Sequence, residues 1–299
     1  MVTPPAKFRT GYVSIVGRPN VGKSTLLNRL VGQKVSITSR KPQTTRQRIT
    51  GILTLDDAQL LFVDTPGFQM QHRSALNRGM NRVVTQSFAQ VDVVLLVIDV
   101  LRFGNEDKNL LKLPADGQPV LLVINKTDKL SDRRLLLPFI EQVSQQHSFA
   151  EIVPVSAAKG HSIAELARAV SGYLPERPAL YGADELTESS EAALAAELIR
   201  EKLFRLLGEE LPYVSTVVVD RFVVDGALRR IHASIVVEKE SQKGIVVGTG
   251  GARLKVIAAK ARVDMEKLFG GKVHLEVWVK VKSGWTEDHR LLKQLGYGN

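Results

Sequence analysis

Five near-continuous apolar runs lie between residues 12 and 155: YVSIV (12–16), QLLFV (59–63), VVLLVID (93–99), PVLLVI (119–124) and EIVPV (151–155). A strand with one wet face alternates apolar and polar residues. A strand with almost no polar positions is covered on both faces, as in a parallel sheet. Helix-like segments such as STLLNRLVG and IAELARAVSGYL separate the runs. The alternation implies a doubly wound α/β domain, whose ligands bind at the carboxyl edge of the sheet. The most apolar stretch, VDVVLLVIDVL, is short and carries Asp92 and Asp99, so it reads as a buried strand and not a membrane span.

Four of the runs end in residues suited to holding a nucleotide. After YVSIV come Gly17, Arg18, Pro19, Asn20, Val21, Gly22, Lys23 and Ser24, then Thr25, which fit the P-loop pattern G-x-x-x-x-G-K-[ST]. The glycines let backbone N–H groups wrap phosphate oxygens, Lys23 reaches the outer phosphates, and Ser24 offers its hydroxyl to Mg²⁺. The helix that follows points its positive end at the same place. After QLLFV comes Asp64-Thr65-Pro66-Gly67. Here Asp64 is expected to hold Mg²⁺ through water, and the Gly67 N–H to meet a γ-phosphate. After PVLLVI comes NKTD. Asp128 can accept from guanine N1–H and its exocyclic amine, a donor pair that adenine lacks. Asn125 either touches the guanine edge or ties loops together, and the Lys126 stem can lie over the base. After EIVPV comes SAAKG, where Ser156 belongs to the base loop and the Ala157 N–H can meet guanine O6. One guanine-nucleotide site explains four motifs at one sheet edge better than four accidents do.

Between the first two motifs lies SRKPQTTRQR (39–48), which reads as an exposed switch segment. Thr45, in preference to Thr44, is expected to complete the Mg²⁺ shell when the γ-phosphate is present. The expected catalytic set is Lys23, Thr45 and Gly67, and the expected metal set is Ser24, Thr45 and Asp64. Residues 34–48 hold five Lys/Arg and no acid, either as a solvated loop or as a contact for RNA phosphates.

The pattern stops around YLPERPALYGADELTESSE (173–191). The expected division is a nucleotide-binding domain over 9–175, a linker over 176–190 and a second domain over 191–299. The second is α+β, in the order helix, strand, strand, helix, loop, helix, strand, with a strand turn at Asp225-Gly226. Its loop holds Gly248, Thr249, Gly250 and Gly251. A G-x-x-G loop between helices admits the backbone of single-stranded RNA, as in type II KH domains. Arg253 and Lys255 follow, and residues 239–282 carry ten Lys/Arg against four acids. Trp278 and Trp285 could each stack a base, but Trp278 is expected in a core.

The chain carries 41 Lys+Arg against 31 Asp+Glu, a formal charge of +10, which favours an anionic partner such as nucleic acid or a membrane surface. It has no cysteine, which excludes disulfides, thiol nucleophiles and Cys-ligated zinc and fits a reducing compartment. The first residues do not read as a signal peptide.

GRPNVGKSTLLN, SITSRKPQTTR, VDTPGF, NKTD, SAAKG, GTGGARLK and VHLEVWVKVKSGW together closely resemble the Era-like GTPases over about residues 9–297. The resemblance implies a Ras-like G domain followed by a KH domain. It implies GTP/GDP and Mg²⁺ as cofactors, binding to the 3′ end of 16S rRNA, and a role in small (30S) ribosomal subunit assembly. It further implies a cytoplasmic protein that is partly peripheral on the inner membrane face; a monomer is expected. Thr249 stands where the family often has lysine, which removes one phosphate contact. Phe68 stands where many Ras-like enzymes place a water-orienting glutamine, so K⁺ at Asn20 or a partner's arginine would have to meet transition-state charge. Asn20 either coordinates K⁺ or only braces the loop. One alternative is an RNA-binding protein with a structural, non-cycling G domain, against which the intact Lys23, Ser24, Asp64 and Asp128 argue. Another is a GTPase acting on another RNA.

Overall fold

The computed structural model describes residues 8–39, 41, 44–46, 49–66, 81–82, 85, 88, 90–208, 210–288 and 292. It divides into two units. Among the described residues, the first comprises those within 8–36, 45–66 and 81–188, and the second those within 37–39, 41, 44 and 189–292.

The first unit is built on β1 (Arg9–Val16), α1 (Lys23–Val31), β2 (Ile49–Thr54), β3 (Ala58–Asp64), β4 (Val93–Asp99), α2 (Asn105–Leu110), β5 (Val120–Asn125), α3 (Leu136–Ser144), β6 (Glu151–Pro154) and α4 (Ile163–Ser171). The sheet order is β2-β3-β1-β4-β5-β6. All neighbours are parallel except β2, which runs antiparallel to β3 from Ile49↔Asp64 to Thr54↔Gln59. Successive side chains of each strand enter two different cores. Leu95, Val97, Leu121 and Val123 meet residues of α1 and α4 on one face. Leu96, Ile98, Leu122 and Ile124 meet Phe139 and Val143 of α3 on the other. This is why the strands read as unbroken apolar runs. Because β1 lies between β3 and β4, the strand order reverses there, and its carboxyl end opens on the crevice where such sheets bind ligands.

Two features of this unit differ from the sequence expectation. Strand β2 was not expected; it is half of a hairpin whose Asp56-Asp57 turn is closed by the Leu55 N–H donating to the Ala58 carbonyl at 2.7 Å. Residues 176–188, read as linker, are fixed within the first unit. Buried Gln59 accepts from the Leu180 and Tyr181 N–H groups at 2.8 and 3.0 Å, and the Ile52 N–H donates to the Leu186 carbonyl.

The second unit contains α5 (Glu191–Leu206), β7 (Ser215–Asp225), β8 (Leu228–Val237), α6 (Glu240–Val247), α7 (Ala252–Phe269) and β9 (Lys272–Val281). Ser190 caps α5 by accepting the Ala193 N–H. The β7-β8 pair is antiparallel and β8-β9 parallel, with Leu228 opposite Lys272 and Val237 opposite Val281. Leu198, Ile199 and Leu203 of α5 and Ile257, Ala261 and Met265 of α7 bury one face of this sheet. Residues 37–39, 41 and 44 belong to this unit, although 39–48 was expected as an exposed switch segment. The Thr38 N–H donates to Glu201, and Lys41 Nζ donates to the Leu207 and Gly208 carbonyls just past the end of α5. A cation there complements the negative end of the helix.

Candidate functional site

The turn from β1 into α1 leaves no room for side chains at its glycines. A Cβ at Gly22, where φ is 102°, would sit 2.4 Å from Asn125 Nδ2, and one at Gly17 would sit 2.3 Å from the Val97 carbonyl. The loop backbone therefore lies tight against the ends of β4 and β5, with the N-terminus of α1 behind it. Lys23, the first residue of α1, is buried, and its Nζ donates to the Gly17 and Arg18 carbonyls at 2.9 Å each. Burial lowers its pKa to about 8, against the raising influence of the Asp64 charge. A buried ammonium held by two carbonyls is poised to exchange them for phosphate oxygens. The Arg18 side chain turns the other way, to Asp107 at 3.0 Å and the Arg102 carbonyl, so only its backbone faces the cradle. Val21 is in the core, and the Asn20 side chain is exposed with φ at 64°.

Three hydroxyls converge on one carboxylate. Asp64 Oδ2 accepts from Ser24 Oγ at 2.8 Å, Ser36 Oγ at 2.9 Å and Thr45 Oγ1 at 3.2 Å, while Ser24 and Thr45 lie 2.9 Å apart. Asp64 is fully buried; burial raises its pKa, opposed by the Lys23 charge and then by the three hydroxyls. Its Oδ1 is buried with no hydrogen-bond partner among the described residues. An orphaned carboxylate oxygen beside two hydroxyls is a hard-oxygen donor set that fits Mg²⁺. The Thr44 hydroxyl is spent on the Lys41 carbonyl, so Thr45 is the threonine at this corner. Ser36 was not singled out from the sequence, because only the fold brings it beside Asp64. Thr65 braces β3 to β1 through the Ile15 carbonyl, and Pro66 is buried. Gly67, with Phe68, Gln69 and His72, lies outside the described residues.

At the ends of β5 and β6 the expected base loops come together. Asn125 Nδ2 donates to the Val21 carbonyl at 2.8 Å and its Oδ1 accepts the Ala157 N–H at 3.0 Å, which resolves its role toward tying loops. The Ala157 N–H, expected to meet guanine O6, is engaged here by Asn125. Lys126 donates to the Asn20 carbonyl and pairs with Asp99 at 2.7 Å. Asp128 is exposed, and Ser156 Oγ donates to its Oδ1, which fixes the carboxylate. Arg29 of α1, also missed from sequence, donates to the Ala157 and Ala158 carbonyls and locks this loop to the phosphate helix.

In the second unit, Gly248, Gly250 and Gly251 have φ of 72°, 57° and 80°, and Thr249–Gly251 form a single turn between α6 and α7. A Cβ at Gly250 or Gly251 would meet nothing within 4 Å, so the turn faces open space. Arg253 is exposed and donates to the Ile245 carbonyl; Lys255 is exposed too. Ile245 and Val256, beside the turn in sequence, are 48% and 45% exposed. The tryptophan expectation reverses. Trp278 is exposed, whereas Trp285 is fully buried with its Nε1–H on the Val214 carbonyl.

The P-loop turn, the Ser24–Thr45–Asp64 corner and the NKTD loop at one edge of a Ras-like sheet are the parts of a P-loop GTPase, and the second unit makes it one with a C-terminal KH domain. Residues 12–126 match the family described as 50S ribosome-binding GTPase, and residues 210–286 match the KH domain. The chain belongs to the Era family of GTPases. It is 57% identical to GTPase Era of Nitrosomonas eutropha over 290 residues, covering 97% of this chain and 98% of that one. It is also similar to a point variant of Aquifex aeolicus Era bound to GDP and AlF4⁻, with 38% identity and a TM-score of 0.93, covering 98% of this chain and all of that one. An Era structure with MgGDPNP and nucleotides 1506–1542 of 16S ribosomal RNA matches at 38% identity and a TM-score of 0.92, again over 98% of this chain and all of that one.

Proposed function

We propose that this GTPase is a switch that binds the 3′ end of 16S rRNA and assists small-subunit assembly, with a G domain that includes 9–175 and the segment packed on it to 188, and a KH domain over 191–299. The observation that carries the switch is the meeting of Ser24, Thr45 and Asp64 at one buried corner beside Lys23. The backbone from Gly17 to Thr25 cradles the phosphates, and Lys23 turns from its two loop carbonyls to the β- and γ-phosphates. Ser24, Thr45 and Asp64 hold Mg²⁺, which when bound neutralises charge on the transferring phosphoryl group. Thr45 lies in the segment between the first two nucleotide motifs, so its engagement differs between GTP and GDP. Asp128 reads guanine, Ser156 orients that carboxylate, and Asn125, Lys126 and Ala157 shape the loops around it. Gly67 of the DTPG motif is assigned the γ-phosphate contact from its place in the sequence alone.

RNA is held at Gly248–Gly251 with Arg253 and Lys255. The open space beyond the turn and the flanking Ile245 and Val256 support this reading, as does the RNA carried by the similar Era structure. The protein acts in the cytoplasm as a monomer and attaches peripherally to the inner membrane face. No helix among the described residues is long and apolar enough to cross a membrane.

Single-turnover hydrolysis by the purified protein with Mg²⁺ tests the reading: conversion of bound GTP to GDP is expected. A protein that binds GTP and never cleaves it would favour a structural, non-cycling G domain.

The water-orienting position after Gly67 is Phe68, which cannot hydrogen-bond water. The exposed side chain of Asn20 is free to place a carbonyl oxygen on K⁺ at the phosphates. Hydrolysis is expected to run several-fold faster in K⁺ than in Na⁺. Asn20→Ala is expected to abolish that difference while GDP binding stays nearly intact. Equal rates in the two salts would assign the charge to a partner's arginine.

A further inference from the structure

The sheet of the second unit has two unlike faces. Ile231, Ala233 and Ile235 of β8, with Val273 and its alternate neighbours on β9, lie under α5 and α7. The residues between them face away from those helices. Trp278 stands on that open face with 45% of its surface exposed. Its ring stacks on His232 at 5.7 Å between centroids and 27° between planes. His232 is in turn 3.7 Å from Glu276, which His274 also holds at 3.0 Å. The indole is thus braced in place, not loosely attached.

Two cations of the face are within reach of an anionic ligand. Lys280 pairs with Asp220 at 3.1 Å, Arg230 pairs with Asp225 at 3.4 Å, and His274 is hydrogen-bonded to Glu276. The Arg221 side chain, directly opposite His232 across the β7-β8 pair, has no ion-pair or hydrogen-bond partner among the described residues. Lys280 is the next outward residue after Trp278 and its side chain is 59% exposed. Exposed pairs of this kind contribute little, so its ammonium exchanges readily to a phosphate.

We infer that this face is a second RNA contact: a base of single-stranded RNA stacks on Trp278 while adjoining phosphates meet Arg221 and Lys280. A braced aromatic plane beside one unpaired cation, Arg221, and one weakly paired cation, Lys280, suits the binding of single strands without reading their sequence. It is separate from the G-x-x-G turn, whose helices α6 and α7 bury Val246 and Ile257 against the other face of the sheet. A G-x-x-G turn clamps only about four nucleotides. The 3′-terminal fragment proposed above as ligand is several times longer and has chain left to reach a second platform. The inference rests on that RNA reading.

The test compares Trp278→Ala, Trp278→Phe and the unaltered protein on two probes, the RNA of nucleotides 1506–1542 and a single-stranded oligonucleotide of about four nucleotides. Trp278→Ala is expected to weaken the long RNA about tenfold, as loss of one stacked base does, while Trp278→Phe keeps most of the affinity and the short probe is unaffected. The long RNA should quench tryptophan fluorescence in the unaltered protein and not in Trp278→Phe, because Trp285 is buried. Arg221→Ala should lower the slope of log affinity against log salt by about one. Unchanged binding of the long RNA by Trp278→Ala overturns the inference. So does equal loss of both probes, which would make Trp278 a support of the fold. Intact RNA binding with lost binding to 30S particles would make the face a protein-docking surface and overturn it as well. If the unaltered protein binds neither probe, the RNA reading falls and the inference falls with it.

Discussion

Asp128→Asn is expected to weaken GTP binding by roughly ten- to thousand-fold and to raise affinity for xanthosine triphosphate. Guanine presents two donors, N1–H and the exocyclic amine, to the Asp128 carboxylate. The substitution turns one acceptor into an amide donor that faces them and leaves polar groups unpaired in the closed site. Xanthine carries an oxygen where guanine carries the amine, so the amide donor finds an acceptor there. Ser156 Oγ already donates to Oδ1, which holds the carboxylate in place and makes the geometry specific. Calorimetric titration with both nucleotides reads the result. A variant that binds GTP normally would remove NKTD from base recognition.

Replacing Gly250 and Gly251 together by Asp is expected to lower RNA affinity by roughly a hundredfold while GTP affinity is unchanged. Two charges would stand where the RNA backbone passes, ahead of the N-terminus of α7. The protein has room for them, at the cost of some strain in a backbone with φ of 57° and 80°. A Cβ at either position meets nothing within 4 Å, Asp enters the left-handed region more readily than most residues, and acids near a helix N-terminus are favourable. A thermal midpoint near that of the unaltered protein would show that the loss is not unfolding. Unchanged RNA affinity would move the site to the basic segment 34–48.

The strands that carry nucleotide motifs were legible because burial on both faces leaves them no polar positions, and each motif follows its strand directly. Strand β2 was not, because ITGILT breaks its apolar run with Thr50 and Gly51 and sits at the sheet edge. Ser36 and Arg29 reach the site only through tertiary packing, Ser36 onto Asp64 and Arg29 onto the base loop. No local spacing marks either one. The tryptophan reversal is more instructive. The alternation in KVHLEVWVKV places Val273 and Val277 inward and therefore Trp278 outward, so strand register, not the apolar character of the indole, decides where it stands. Residues 176–188 are rich in turn formers and yet fixed, because buried Gln59 supplies the side-chain partner that their backbone needs.

Nucleotide state is expected to govern RNA binding. Thr45, whose hydroxyl touches Ser24 and Asp64, is one residue from Thr44, which groups with the α5 unit. By linkage, whatever factor GTP applies to RNA affinity, RNA applies to the preference for GTP over GDP. The measurement is the affinity of the 16S 3′-end RNA for protein loaded with a non-hydrolysable GTP analogue and with GDP, at one salt concentration. The two affinities are expected to differ by about fivefold or more, with the reciprocal shift in nucleotide preference when RNA is present. Equal RNA affinity in both nucleotide states would contradict the switch.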